Sequence, residues 1–155
     1  MRKGLSNTLI GSAGEYFVAG ELSRQGVVAA LTMSGTDSFD ILAVNQRGEQ
    51  FAIQVKTTKY EKEPWLLGKK DEAIRGGQMY DIFVRLKQTG SPDYYIVPAI
   101  TVAEERQHRE WLAALGKDGN VHRDHSMREF QIAPEDERYY NRWDYFTGGM
   151  LGSTE

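Results

Sequence analysis

Cysteine is absent from the chain, which excludes disulfide staples, thiolate metal sites and thiol nucleophiles. No window approaches the roughly 20 consecutive apolar residues of a membrane span, so no membrane association is expected. The opening Met1-Arg2-Lys3-Gly4-Leu5 is basic but lacks the apolar run of a secretory signal, and a cytoplasmic location is expected. Positive charge is not in excess either. With 19 Lys and Arg against 22 Asp and Glu, the formal charge is -3, which argues against holding nucleic acid by bulk electrostatics. Any nucleic-acid role has to rest on a local site. Linkers, repeats and low-complexity tracts are also missing. What remains is 155 residues, 40% hydrophobic and 26% charged, the make-up of a single soluble domain over residues 1–155. A chain of that size buries roughly 70% of its unfolded surface and needs no staples.

Spacings of three and four place Leu9, Ala13, Tyr16, Phe17 and Gly20 on one face of a helix over Ser6 to Gln25, with Gly26 as its C-cap. Gly11, Val18 and Leu22 lie on the other side with one acid, Glu15, so cover is expected on two sides. Gly14 and Gly20 weaken a helix unless something packs closely there. Three runs rich in β-branched and aromatic residues follow: Val27 to Thr32, Phe39 to Val44 and Phe51 to Thr58. The last two are joined through Asn45-Gln46-Arg47-Gly48-Glu49, a three-residue hairpin loop with Gly48 in the left-handed position. With Asn45 opposite Glu49, counting outwards sets Asp40 opposite Gln54, and Lys56 points to the same face as Gln54. Leu42, Val44 and Ala52 share that face, while Ile41, Ala43, Phe51, Ile53 and Val55 share the other. Two apolar faces predict a hairpin in the middle of a sheet covered on both sides, with the polar cluster at one end.

After a charged loop from Lys59 to Gly77, Tyr80 to Lys87 alternates Ile82, Val84 and Leu86 against Asp81, Arg85 and Lys87. Tyr94 to Val97 adds a short strand that Pro98 ends. The capping-box pattern Thr101-Val102-Ala103-Glu104 opens a helix to about Leu115, with Trp111, Leu112 and Leu115 on its apolar side and Gly116 as its stop. Pro134-Glu135-Asp136-Glu137 reads as the acidic first turn of a last helix through Trp143. The order is helix, three strands, loop, two strands, helix, helix: an α/β sandwich around a small mixed sheet.

Glu15, Asp40, Gln54 and Lys56 come from three of these elements. Paired acids beside a lysine at the end of a sheet suit phosphodiester hydrolysis, because Mg²⁺ takes oxygen ligands and keeps waters that can attack phosphorus. Mg²⁺ or Mn²⁺ there would take a carboxylate oxygen of Asp40 and the backbone carbonyl of Val55 and reach Glu15 directly or through water, with only a neutral amide oxygen from Gln54. Lys56 would hold the attacking hydroxide or screen charge on the phosphate. The competing reading of Asp40 is a buried ion pair with Lys56, which is costly without further partners.

These residues resemble the PD-(D/E)XK nuclease superfamily, in the branch of Holliday-junction resolvases and small bacterial endonuclease-like proteins. The match is carried by Gly11-Ser12-Ala13-Gly14-Glu15, Asp37-Ser38-Phe39-Asp40-Ile41 and Ile53-Gln54-Val55-Lys56-Thr57, over roughly the first 60 residues. The resemblance implies a restriction-endonuclease-like α-β-β-β-α-β core in which Asp40 binds metal, Glu15 assists and Lys56 is catalytic. It implies a Mg²⁺-dependent endonuclease acting on duplex or branched DNA. The runner-up is a nuclease-fold protein without efficient catalysis that binds nucleic acid or a protein partner. Phe39 stands where the pattern has proline. Gln54 stands where it has Asp or Glu, which removes one negative charge from the metal site. With a single site per chain, a homodimer is the simplest way to cut two strands.

Lys59, Lys62, Lys69, Lys70 and Arg75 gather just after the motif strand, where they would meet a DNA backbone, with Trp65 able to pack or stack. Glu61, Glu63, Asp71 and Glu72 interleave them, as in any mixed-charge loop. His122 and His125 read as loop residues with no third ligand in view, and His108 as helix surface. Tyr94, Tyr95, Tyr139, Tyr140 and Trp143 read as core or interface aromatics.

Overall fold

The computed structural model describes residues 4–33, 39–68, 78–105, 127–133 and 136–148. Ser6 opens α1 (Asn7–Arg24), its hydroxyl accepting the Leu9 N–H at 3.3 Å, and Arg24 in the last turn suits the negative end of the helix. Gly26, at φ 82°, turns the chain away. The face that packs is not the one the spacing favoured. Ile10, Gly14, Val18 and Leu22 are buried, whereas Leu9, Tyr16 and Phe17 are exposed, Tyr16 at 66%. Both faces carry apolar residues, so the pattern holds too little contrast to choose between them. Contact decides: a Cβ on Gly14 would lie 1.8 Å from Thr57 Oγ1, so only glycine lets the helix come this close. Gly20 meets nothing within 4 Å, and no second close approach exists there.

The main sheet contains β1 (Val28–Leu31), β2 (Ile41–Val44), β3 (Gln50–Thr58), β5 (Met79–Arg85) and β6 (Asp93–Pro98), in the order β1-β2-β3-β5-β6. Its neighbours are antiparallel except the parallel pair β3 and β5. The crossover between those two passes through β4 (Trp65–Gly68), inside the expected charged loop. There β4 pairs with β7 (Met127–Phe130) in a second, two-stranded sheet. Gly48 has φ 79°, and the Asn45 side chain accepts the N–H groups of Arg47 and Glu49 at 3.0 Å. This loop sets Ile41 opposite Ile53 and Val44 opposite Gln50, the register counted from the sequence.

Two apolar clusters lie on the two faces of the sheet. Toward α1, Ile41, Phe51, Ile53, Val55, Ile82 and Ile96 pack with Val18 and Leu22, and with Trp143 and Phe146 at α3 (Asp144–Thr147). On the other face, Phe83, Tyr95 and Val97 lie under Trp65, Leu67, Phe130 and Ile132, and under Val102 in the helical residues 99–105 (α2). This second layer covers β5 and β6. Leu42 and Val44 on the same face are exposed, so β2 is not covered on both sides as its two apolar faces predict. It lies beside the edge strand β1.

Tyr94, Tyr95 and Trp143 are buried as expected, whereas Tyr140 is exposed, its ring 5.5 Å from Tyr95. The helix expected to end at Trp143 is replaced by turns, with Asn141 at φ 51°, and α3 begins after it. Trp111, Leu112, Leu115, Gly116, His108, His122, His125, Pro134 and Glu135 lie outside the described residues. Among those described, no helix is long and apolar enough to cross a membrane.

Candidate active site

The site forms where β2 stops and β3 continues. The last backbone bond between them runs from the Asp40 N–H to the Ile53 carbonyl at 3.0 Å, and the Val55 N–H then donates to Asp40 Oδ2 at 2.7 Å. Peptide groups along a strand alternate in the edge they address. Ala52 and Thr58 bond on the β5 side, to Gln78 and Leu86, whereas residues 53 and 55 address β2. Val55 and Thr57 therefore turn their backbone groups toward the side that β2 has left, and the Val55 carbonyl faces the same gap as Asp40.

Gln54 and Lys56 project from the face opposite α1, and Asp40 lies directly across from Gln54, one step beyond the Ile41–Ile53 pair. Gln54 is 8% exposed, and its Oε1 has no hydrogen-bond partner among the described residues. Glu15 arrives from the other side of the sheet, on the helix turn that Gly14 brings against Thr57. Burial pushes the Glu15 pKa up, and the negative charge of Asp40 pushes it further. The two carboxylates are thus near enough to repel one another. All four expected residues converge on one end of the sheet, straddling its two faces.

Among the described residues no group of three or more acids and histidines stands close enough to hold a metal ion. The oxygen donors here are two carboxylates, an amide and a carbonyl. Asp81 pairs with Gln54 across β3 and β5 on the same face and is 5% exposed. Alternation within its own strand had placed it with the outward residues. The covering layer buries it instead, because β4 and β7 lie above β5.

The expected basic contacts separate. Lys59 is exposed and shares with Lys56 a cleft of about 400 Å³ at the end of β3. Lys62 is exposed and lines a neighbouring groove beside Arg85 and Lys87. Lys69, Lys70 and Arg75 lie outside the described residues. Trp65 packs rather than stacks on a ligand: it is 1% exposed, and its indole N–H donates to the Val84 carbonyl at 3.1 Å. The aromatic ring presented in this cleft is that of Tyr60. Its one sequence signal is an aromatic residue directly after Lys59 in a charged stretch.

No family model matches the chain, and no curated protein does. Among solved structures, the bacterial homing endonuclease I-Ssp6803I aligns with a TM-score of 0.51 at 11% identity, over 89% of this chain and 90% of that one. The Holliday junction resolvase Hjc of Archaeoglobus fulgidus aligns with a TM-score of 0.43 at 23% identity, over 57% of this chain and 72% of that one. The first alignment, over nearly the whole of both chains, shows that the mixed α/β fold with its five-stranded sheet is shared with that protein.

Proposed function

We propose that this chain is a divalent-metal-dependent endonuclease that hydrolyses phosphodiester bonds in DNA. The observation that carries this reading is the convergence of Glu15, Asp40, Gln54 and Lys56 where β2 leaves β3. The fold shared with a homing endonuclease supports it. The donor set fits Mg²⁺ or Mn²⁺, since all its atoms are oxygens. Oδ2 of Asp40 is engaged by the Val55 N–H, and its carboxylate would be the main ligand of a cation. Gln54 Oε1 is a buried acceptor in want of a positive partner, and the repulsion felt by Glu15 is what a cation relieves. When bound, the ion would supply an activated water and offset phosphate charge.

Hydrolysis adds one water across a P–O bond. The water oxygen bonds to phosphorus, one ester P–O bond breaks, and the departing oxygen takes a proton. Lys56 stabilises the negative charge that builds on the phosphate oxygens. Asp40 is already oriented by its backbone bond, so little reorganisation is needed as the phosphate arrives. With one such site per chain, a homodimer is the simplest way to cut both strands.

Gln54 favours a second reading, a nuclease-fold protein that binds nucleic acid without efficient cleavage, because the site keeps two carboxylates where the pattern has three. Supercoiled-plasmid nicking with Mg²⁺ and Mn²⁺ separates the two readings. Cleavage by the wild type that disappears in both Asp40→Ala and Lys56→Ala is the expected result. Activity that survives either change places the chemistry elsewhere. Salt-dependent DNA binding with no nicking selects the second reading.

A further inference from the structure

The cleft beside Lys56 has more structure than hydrolysis alone requires. One wall is α1, through Asn7 and Ile10. The floor is the end of β3, where among the described residues no strand pairs on the side that β2 has left. The remaining wall is the segment from Lys59 into β4. Its volume, about 400 Å³, is that of a small-ligand pocket. Tyr60 stands in this cleft with half of its surface exposed, although the backbone around it is anchored. Its N–H donates to Thr58 Oγ1 at 3.3 Å, and its carbonyl accepts from Arg85, whose guanidinium lies 4.3 Å over the Trp65 ring. A half-exposed aromatic ring held by its main chain can serve as a stacking platform. Lys59 Nζ lies over one face of the same ring, 5.4 Å from its centre, a place it gives up when it turns to a phosphate.

We propose that this cleft is a nucleotide subsite, in which Tyr60 stacks on one unpaired base while Lys59 contacts the phosphate next to the one that Lys56 meets. The inference rests on the endonuclease reading and names its substrate class. The bases of a continuous duplex are stacked on each other and offer no free face to Tyr60. Pulling one out gives up its stacking and pairing. The preferred substrate is therefore DNA with an unpaired nucleotide at the cut, such as a single strand, a flap or a branch point, over intact duplex.

The test is fluorescence anisotropy on the full chain in EDTA, so that nothing is cut. The probes are a labelled single strand of ~10 nucleotides and a blunt duplex of the same length, and the variants are Tyr60→Ala and Tyr60→Phe. Tyr60→Ala is expected to weaken single-strand binding about tenfold or more, the range of one lost base–aromatic stack. It should leave duplex binding within about twofold, and Tyr60→Phe should keep wild-type affinity for both. Equal losses on both probes, or no loss on the single strand, overturn the subsite and leave the endonuclease reading intact. A wild type that binds neither probe also overturns the subsite, while the endonuclease reading stands or falls on plasmid nicking with Mg²⁺ and Mn²⁺.

Discussion

The Asp40 carboxylate accepts a 2.7 Å hydrogen bond from the Val55 N–H, fifteen residues further along the chain. The bond closes the gap where β2 ends and aims the acid at the space that Glu15 and the Val55 carbonyl also face. Asp40 thus has a structural and a chemical part, and two substitutions pull them apart. Asp40→Asn keeps an acceptor for the Val55 N–H and removes the charge, so thermal stability should hold while nicking is lost. Asp40→Ala also leaves the N–H without a partner, which costs about 1 to 2 kcal/mol and a few degrees of Tm. Equal melting temperatures for the two variants would show that the bond carries no stability.

Gln54→Glu restores the charge that the motif pattern has at this position. Adding a negative charge to a partly buried site that holds two carboxylates should tighten Mn²⁺ binding by at least about tenfold, equivalent to ~1.4 kcal/mol. Isothermal titration calorimetry reads this directly. Unchanged affinity would mean that Gln54 does not face the ion.

Glu15 makes stability depend on pH. Its folded-state pKa is raised, so without metal the folded chain holds the proton more tightly than the unfolded chain does. The associated stability is complete below the ordinary value of 4.5 and is lost as the pH rises through the folded pKa. Glu15→Gln removes that loss. In EDTA the variant should melt above the wild type at about pH 7, and the gap should close as the pH falls to about 4. Saturating Mg²⁺ should narrow the gap at neutral pH, because the ion favours the ionised Glu15. A constant difference across the whole range would place the effect elsewhere.

Gly14 and Gly20 both sit inside α1, yet alanine should act in opposite directions at the two sites. At Gly20 the new methyl meets open space and should stabilise by about 0.5 to 1 kcal/mol through helix propensity. At Gly14 it would collide with Thr57 on β3, and the overpacking should destabilise by about 1 to 3 kcal/mol. Because Glu15 is the next residue, Gly14→Ala should also lower nicking. Thermal melts and the plasmid assay check both. A Gly14→Ala protein as stable as the wild type would mean that α1 does not rest against Thr57.

Much of the site can be read from the chain because its parts are local. Asn45 and Gly48 make the hairpin loop, the loop sets the register, and the register puts Asp40 across from Gln54 with Lys56 on the same face. None of these steps needs a contact beyond the hairpin. Glu15 was found by its helix and by the resemblance, but what brings it to Asp40 is the fit of Gly14 against Thr57, a contact between elements. Trp65 illustrates the opposite case. In a charged stretch it reads as a loop aromatic, yet β4 pairs Trp65 with Phe130 and folds it over Phe83 and Tyr95.

Residue order alone sets the strands of the motif hairpin, their register, the stop of α1 at Gly26 and the residue types gathered at the sheet end. Turn geometry, alternation and capping act between near neighbours and leave their pattern in the residue order. Packing between layers settles which face of α1 is covered, that Asp81 is buried, and that Tyr60 rather than Trp65 is exposed in the cleft. Each of those outcomes depends on a layer supplied from elsewhere in the chain. Where both faces of an element are apolar, burial is settled by which surface finds a partner that fits, and hydrophobic attraction alone is not directional enough to say which.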